Sequence, residues 1–217
     1  TAKVRTALSI PVITSNRINT PEVAEQVLSR NDADMVSMAR PFLADAEFVI
    51  KSEQGRADEI NTCIGCNQAC LDQIFVGKLT SCLVNPLACQ ETELLIEPTN
   101  NPQKLAVIGA GPAGLAFATT AAECGHQVTL FDSANEIGGQ FNFAKKIPGK
   151  QEFYETLRYY ARQLEITGVK VKLNTLMTAE NINNGDFDQV ILATGILPRT
   201  PDIEGIDHKK ILSYIDV

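Results

Sequence analysis

The sequence predicts an α/β protein in two pieces joined by a cysteine-rich loop, and three observations carry that expectation. Short β-branched runs alternate with helical periodicity on both sides of the loop, the pattern of parallel βα units. Gly109-Ala110-Gly111-Pro112-Ala113-Gly114 stands where one such run gives way to a helix. Cys63, Cys66 and Cys70 crowd a single stretch between the pieces, with Cys82 a little further on.

Elements can be justified in chain order. Residues 8–14 (Leu-Ser-Ile-Pro-Val-Ile-Thr) form a β-branched run of the kind buried on both faces in a parallel sheet, with Pro11 near its start where a missing N–H is tolerated. Thr20-Pro21-Glu22 supplies an N-cap, a first-turn proline and an early acid, and Val23, Ala24, Val27 and Leu28 follow at helical spacing. A second buried strand is expected over 34–38 and a second helix over 45–52. Two βα units cannot complete a sheet, so the remainder of a longer chain, or a swapped copy, is expected to cover the strand edges. The chain begins with Thr1 rather than Met and reads as a piece of something longer.

The cysteine segment is placed at 61–96 and a polar, proline-punctuated linker at 97–103. Beyond the linker the pattern predicts strands over 105–108, 127–131, 169–173 and 189–193, with helices over 112–124 and 152–165. The last helix carries Phe153, Leu157, Tyr160, Ala161 and Leu164 on one stripe.

Composition narrows the function. A net charge of −7 with no basic run argues against nucleic acid and against an anionic membrane surface. The apolar stretches are of strand length, too short to span a bilayer. No export signal opens the chain, so the expectation is a cytoplasmic protein whose six cysteines serve as metal or redox ligands rather than as a disulfide frame.

The glycine turn is informative because of its context. Gly109 permits a tight turn, Gly111 lets a pyrophosphate approach the backbone, and Gly114 allows close packing of helix on strand. Amides at the helix N-terminus then favour the phosphates. Asp132 ends the following strand, where its carboxylate can accept from a ribose hydroxyl and would repel a 2′-phosphate. That favours FAD or NAD over NADP. Glu136-Ile137-Gly138-Gly139-Gln140 and Ala193-Thr194-Gly195 lean towards FAD, although each alone is an ordinary turn.

The four thiols leave two metals open. Zinc sites commonly pair two Cys-x2-Cys knuckles, whereas three close cysteines and one remote one suit an iron–sulfur cubane. Cys124 in an alanine-rich helix reads as packing, and Cys89 could be either. Arg17 and Arg40 follow the first two strands, at the ends where α/β folds place ligands, though Arg40 could equally be a surface ion-pair partner. His126 and His208 read as surface residues.

In this order the motifs resemble the NADH:flavin oxidoreductase family related to old yellow enzyme, and within it the bacterial NADPH-dependent 2,4-dienoyl-CoA reductases. Ile-Pro-Val-Ile-Thr-Ser-Asn-Arg and Met-Ala-Arg-Pro-Phe-Leu-Ala-Asp look like the last two strands of its FMN-binding barrel. Cys-Ile-Gly-Cys-Asn-Gln-Ala-Cys with the later Cys-Leu-Val-Asn-Pro is similar to its [4Fe–4S] segment. The runs from Ile147 and from Ile191 look like its FAD domain.

The resemblance implies the C-terminal end of a (β/α)8 barrel over 1–60, the cluster segment over 61–96 and part of a Rossmann-like FAD-binding domain over 104–217. It implies that Arg17, Ala39 and Arg40 contact FMN phosphate and that Cys63, Cys66, Cys70 and Cys82 hold the cluster. Ala113, Asp132 and Gln140 would touch FAD, with Lys150 and the backbone at Met177 beside them. Electrons would pass from NADPH to FAD, through the cluster, to FMN and then to an unsaturated acyl-CoA. The family's barrel acid and base and its NADPH domain have no counterpart in this sequence, so no catalytic residue is expected and the fragment should not complete the reaction. A related enoate or amine oxidoreductase, or a stand-alone electron-transfer module, are the alternatives.

Overall fold

In the computed structural model, which describes residues 1–215, the elements run α1 (Ala2–Arg5), β1 (Ile13–Ser15), α2 (Pro21–Ser29), β2 (Met35–Ser37), α3 (Arg40–Ala44), α4 (Phe48–Glu53), α5 (Leu71–Phe75), β3 (Lys104–Ile108), α6 (Pro112–Glu123), β4 (Gln127–Phe131), α7 (Phe141–Ala144), α8 (Phe153–Ile166), β5 (Lys170–Lys172), α9 (Ala179–Asn183) and β6 (Gln189–Leu192). They form two compact units. One comprises Thr1–Glu97 with Lys150–Ile166, and the other Pro98–Gly149 with Thr167–Val217.

The first unit opens with two βα repeats. β1 and β2 pair in parallel from Ile13 opposite Met35 to Ser15 opposite Ser37. Thr20 caps α2 by accepting from the Val23 amide, with Pro21 at the first turn, as its side-chain chemistry demands. Two expectations are corrected here. Residues 8–12 are not strand, and the strands are not buried on both faces, since Ile10, Ile13 and Met35 are all more than half exposed. The reason is pairing: β1 has β2 as its hydrogen-bonded neighbour in a two-stranded sheet, so the pleat extends only as far as that register. The helix expected over 45–52 is found as α4, starting later at Phe48, and a short helix that was not expected, α3, precedes it; Asp45 between them is buried and turned to other work.

That work is to hold the start of the cysteine loop. Asp45 accepts from the Glu47 amide at 2.9 Å, from Lys51 Nζ at 2.7 Å and from the Asn61 amide at 2.9 Å. Asn61 in turn donates to the Val84 carbonyl at 2.7 Å, and Asn85 to the Leu43 carbonyl at 2.9 Å. Both ends of the cysteine loop are thus tied to α3 and α4.

Helix α8 belongs to this same unit, although in sequence it lies among the elements of the second. Its buried residues are Thr156, Gln163 and Leu164, while Ala161 of the expected apolar stripe is exposed. The helix docks through cations. Arg158 donates to the carbonyls of Asp58 and Ile60 and to Thr62 Oγ1, and Arg162 pairs with Asp58 and Glu59 on the 3-10 turn Ala57–Glu59. A hydrophobic stripe does not reveal a face that binds by charge.

The second unit is a four-stranded parallel sheet in the order β5-β4-β3-β6. The first strand of the unit is central, which is the arrangement of a dinucleotide-binding half. β3 is buried along Leu105, Ala106, Val107 and Ile108, and α6 packs Leu115, Ala118 and Ala121 towards the core. Strand β4 falls on the residues expected for it.

Candidate functional site

Four thiols meet at one place in the first unit. Cys63, Cys66, Cys70 and Cys82 line a common pocket with Arg40, Leu43, Ile64, Asn67, Ala69, Leu83 and Val84. None is in a disulfide. Burial pushes the Cys63 thiol up, partly offset by the Gly65 amide and by the charge of Arg40, while Cys66 and Cys70 add to the rise. Burial likewise pushes Cys82 up, against the amides of Val84 and Asn85 and with Cys63 and Cys66 adding to it. Mutual repulsion of this kind requires the sulfurs to be neighbours.

The donor set fits a polynuclear metal group. It offers four sulfurs around one apolar-walled pocket, with amides aimed at two of them, which is how clusters are held and tuned. Among the described residues no three or more His, Cys, Asp or Glu side chains are drawn together closely enough to hold a metal ion. Cys89 is exposed, Cys124 sits at the end of α6, and neither lines the pocket.

A second cleft opens at the C-terminal ends of β1 and β2. It is lined by residues 15–19 and 37–41, and so gathers Arg17, Ala39 and Arg40 as the sequence suggested. Asn16 and Arg17 are both left-handed (φ 78° and 59°), an arrangement that costs non-glycine residues energy and recurs at ligand sites. Arg17 forms an ion pair with Glu152. Its Nη1 lies 2.7 Å from where a Cβ on Gly65 would stand, so the glycine between Cys63 and Cys66 makes room for this guanidinium.

In the second unit the glycine turn has the geometry of a dinucleotide site. A side chain on Gly114 would collide with the Gly109 carbonyl, and one on Gly109 with the Ala193 carbonyl, so both are glycine for packing. Gly111 differs: its φ is −74° and nothing lies within 4 Å of where its Cβ would be. The open space there is the cradle a phosphate needs, at the N-terminus of α6, beside Ala113.

Asp132 lies at this turn, but its carboxylate is already engaged. It accepts from the Ala110 amide at 2.6 Å and the Ala134 amide at 2.8 Å, so it shapes the loop. The amides of Asn174 and Thr175 bond back to Ala134 and Asp132, which brings the loop leading to Met177 to the same corner. Gln140 donates to the Ile196 carbonyl at 2.5 Å and accepts from Tyr214 at 2.9 Å. Lys150 is grouped with the first unit, and its ammonium lies 5.0 Å from the Phe153 ring centre.

Sequence reading missed Asp45, Asn61, Asn85, Asn67 and Arg158. An Asn flanking a cysteine was the one available sign, as in Cys66-Asn67. The others act across long separations that no local pattern records.

With the geometry described, comparison with known proteins is informative. Residues 103–217 match the pyridine nucleotide-disulphide oxidoreductase family, and residues 1–59 match the NADH:flavin oxidoreductase / NADH oxidase family. The chain is 43% identical to a metal reductase of Desulforamulus reducens over 99% of its own length, and 33% identical to a cinnamate reductase of Clostridium sporogenes over 99%. Among solved structures, a 2-naphthoyl-CoA reductase in complex with 2-naphthoyl-CoA superposes with a TM-score of 0.94 at 36% identity, over 98% of this chain. The chain spans about a third of the length of each: 33%, 32% and 33%. The expected fold class, a barrel end followed by part of a Rossmann-like domain, is the one found. No helix among the described residues is long and apolar enough to cross a membrane.

Proposed function

The chain belongs to the pyridine nucleotide-disulphide oxidoreductase family, joined to a segment of the NADH:flavin oxidoreductase / NADH oxidase family, and from that premise we propose that it is the electron-relay portion of a flavin- and iron–sulfur-dependent reductase. Its substrate class is an unsaturated acyl-CoA, with 2,4-dienoyl-CoA and NADPH as the specific pair. The single observation that carries this reading is the convergence of four thiols on one pocket whose wall, Arg40, also lines the strand-end cleft.

Cys63, Cys66, Cys70 and Cys82 would hold a [4Fe–4S] cluster. Arg17 and Arg40, with the backbone at Ala39, would hold the phosphate of FMN. Gly111, Ala113 and the Asp132 corner would hold FAD. A cluster and two flavins supply one-electron and two-electron exchange, and so can join a hydride donor to a distant acceptor. The chain's own residues bury Cys63 and part-bury the other three thiols, aim amides at Cys63 and Cys82, and line the strand-end cleft with two cations that would face a phosphate bound there. Support for a thioester or related enoate comes from the similarity to the 2-naphthoyl-CoA and cinnamate reductases.

The test is anaerobic purification followed by assays of iron, sulfide, zinc and flavin. About four irons per chain are expected, falling sharply in Cys66→Ser and unchanged in Cys89→Ser. Stoichiometric zinc without sulfide, or full iron in Cys66→Ser, would reject the cluster. For substrate, the holoenzyme should reduce 2,4-dienoyl-CoA with NADPH faster than free cinnamate or a naphthoyl thioester; a reversed order would move the protein to one of those classes.

A further inference from the structure

Arg40 is the one side chain that lines both the thiol pocket and the strand-end cleft among those delineated in the first unit. It stands at the start of α3, immediately after β2, and is partly buried. Its Nη1 donates to Asn67 Oδ1 at 2.7 Å. Asn67 follows Cys66, is left-handed (φ 62°), and accepts the Asp72 amide on its carbonyl at 3.0 Å. It is therefore the bend between the second and third thiols, and a guanidinium from the strand end holds it. On the other side, Arg40 faces the cleft with Arg17, whose guanidinium fills the space a Cβ on Gly65 would need and pairs with Glu152.

We propose that Arg40 is a positioning residue shared by the two sites: it fixes the Cys66–Cys70 bend through Asn67, and its charge raises the reduction potential of the metal group those thiols hold. This rests on the reading of the four cysteines as cluster ligands. The physical reason is simple. Adding an electron to an anionic group in a partly buried pocket is favoured by a fixed cation on its wall, and a local dielectric below that of water makes that cation count. The same cation is the one a phosphate would neutralise from the cleft side, so the two sites share a charge.

The experiment uses the holoprotein and four variants, with iron and flavin content, stability of the chromophore in air, and the cluster midpoint read by EPR-monitored redox titration. Arg40→Gln is expected to lose FMN and to shift the midpoint negative. Arg17→Gln, which empties the same cleft of its other arginine but removes a charge already balanced by Glu152, is expected to lose FMN and keep the midpoint. Arg40→Lys keeps the charge and gives up the bond to Asn67, and is expected to retain the parent midpoint. Asn67→Ala leaves both cleft arginines in place, and is expected to keep its FMN while losing iron in air several-fold faster.

A midpoint in Arg40→Gln equal to that in Arg17→Gln overturns the electrostatic role. An equal fall in Arg40→Lys assigns the effect to the hydrogen bond and overturns it too. Parent-like iron retention in Asn67→Ala overturns the positioning role. A parent protein free of iron and sulfide would instead reject the cluster reading itself, and the inference with it.

Discussion

Gly111 and Gly114 share one turn and are glycine for different reasons. At Gly114 a methyl group would meet the Gly109 carbonyl and approach the Ala193 side chain at 3.4 Å, so Gly114→Ala should destabilise the protein by roughly 1–3 kcal/mol. At Gly111 the backbone is ordinary and the space is open, so Gly111→Ala should change stability by less than about 0.5 kcal/mol. The added methyl group would instead occupy the place of a phosphate. Thermal unfolding and flavin absorbance separate the two: Gly111→Ala keeps its Tm and loses FAD, while Gly114→Ala loses Tm first. A Gly111→Ala protein that still binds FAD fully would remove the dinucleotide from this turn. A second residue-scale effect belongs to Tyr160, whose hydroxyl is pushed above its usual value by burial. A raised folded value means its contribution to stability is complete below about pH 10, the unfolded value, and is lost as pH rises through the folded one. Tyr160→Phe should therefore lose Tm less steeply than the parent as the pH rises above about 10. Parallel curves would show that Tyr160 ionises freely.

At the scale of elements, α8 shows how a helix can serve a unit distant in sequence. Arg158 satisfies the carbonyls of Asp58 and Ile60 and the hydroxyl of Thr62, the residues that lead directly into Cys63. Removing a charged donor from such partners costs roughly 1–3 kcal/mol, and here the cost should be local. Arg158→Ala is expected to speed amide exchange over residues 58–63 while leaving β3 and β4 protected. Uniform loss of protection would mean that α8 supports more than this turn. The other anchor is stronger. Asp45 and Lys51 are a buried pair, with side-chain exposures of 5% and 14%, and Asp45 also holds the Asn61 amide. Breaking it by Asp45→Ala should cost about 3–5 kcal/mol by chemical denaturation, since Lys51 would be left without its nearest carboxylate.

At the scale of the molecule, two compact units place the thiol pocket and strand-end cleft in one and the glycine turn in the other. Ligands that bind only the native state stabilise by mass action, so each should protect the unit that holds it. FAD at a hundred times its Kd should add about 2.7 kcal/mol to the unfolding of the second unit. Calorimetry of the FAD-depleted and FAD-loaded protein should show one transition moved and the other unmoved. A single transition shifted as a whole would mean that the two units unfold together. The exposed faces of β1 and β2 are the matching feature of the first unit, where apolar Ile13 and Met35 meet solvent, as does Ile10 ahead of β1.

Local chemistry made much of this legible in the sequence. Thr20-Pro21 announced α2, the glycine turn announced the β3–α6 junction, and β4 fell on its expected residues, because capping, φ preference and strand alternation act over a few residues. The four cysteines could be named from their spacing, and the structure brings all four to one pocket. Their surroundings could not be read that way. That Asp45 would be buried among amides, that Arg158 and Arg162 would dock α8 by charge, and that Arg40 would line two sites depend on residues up to about a hundred positions apart. Local periodicity determines which elements form. Which polar groups are satisfied across the fold, and which charges end up sharing a wall, is decided only when those elements pack, since a buried polar group must find its partner in space and not in sequence.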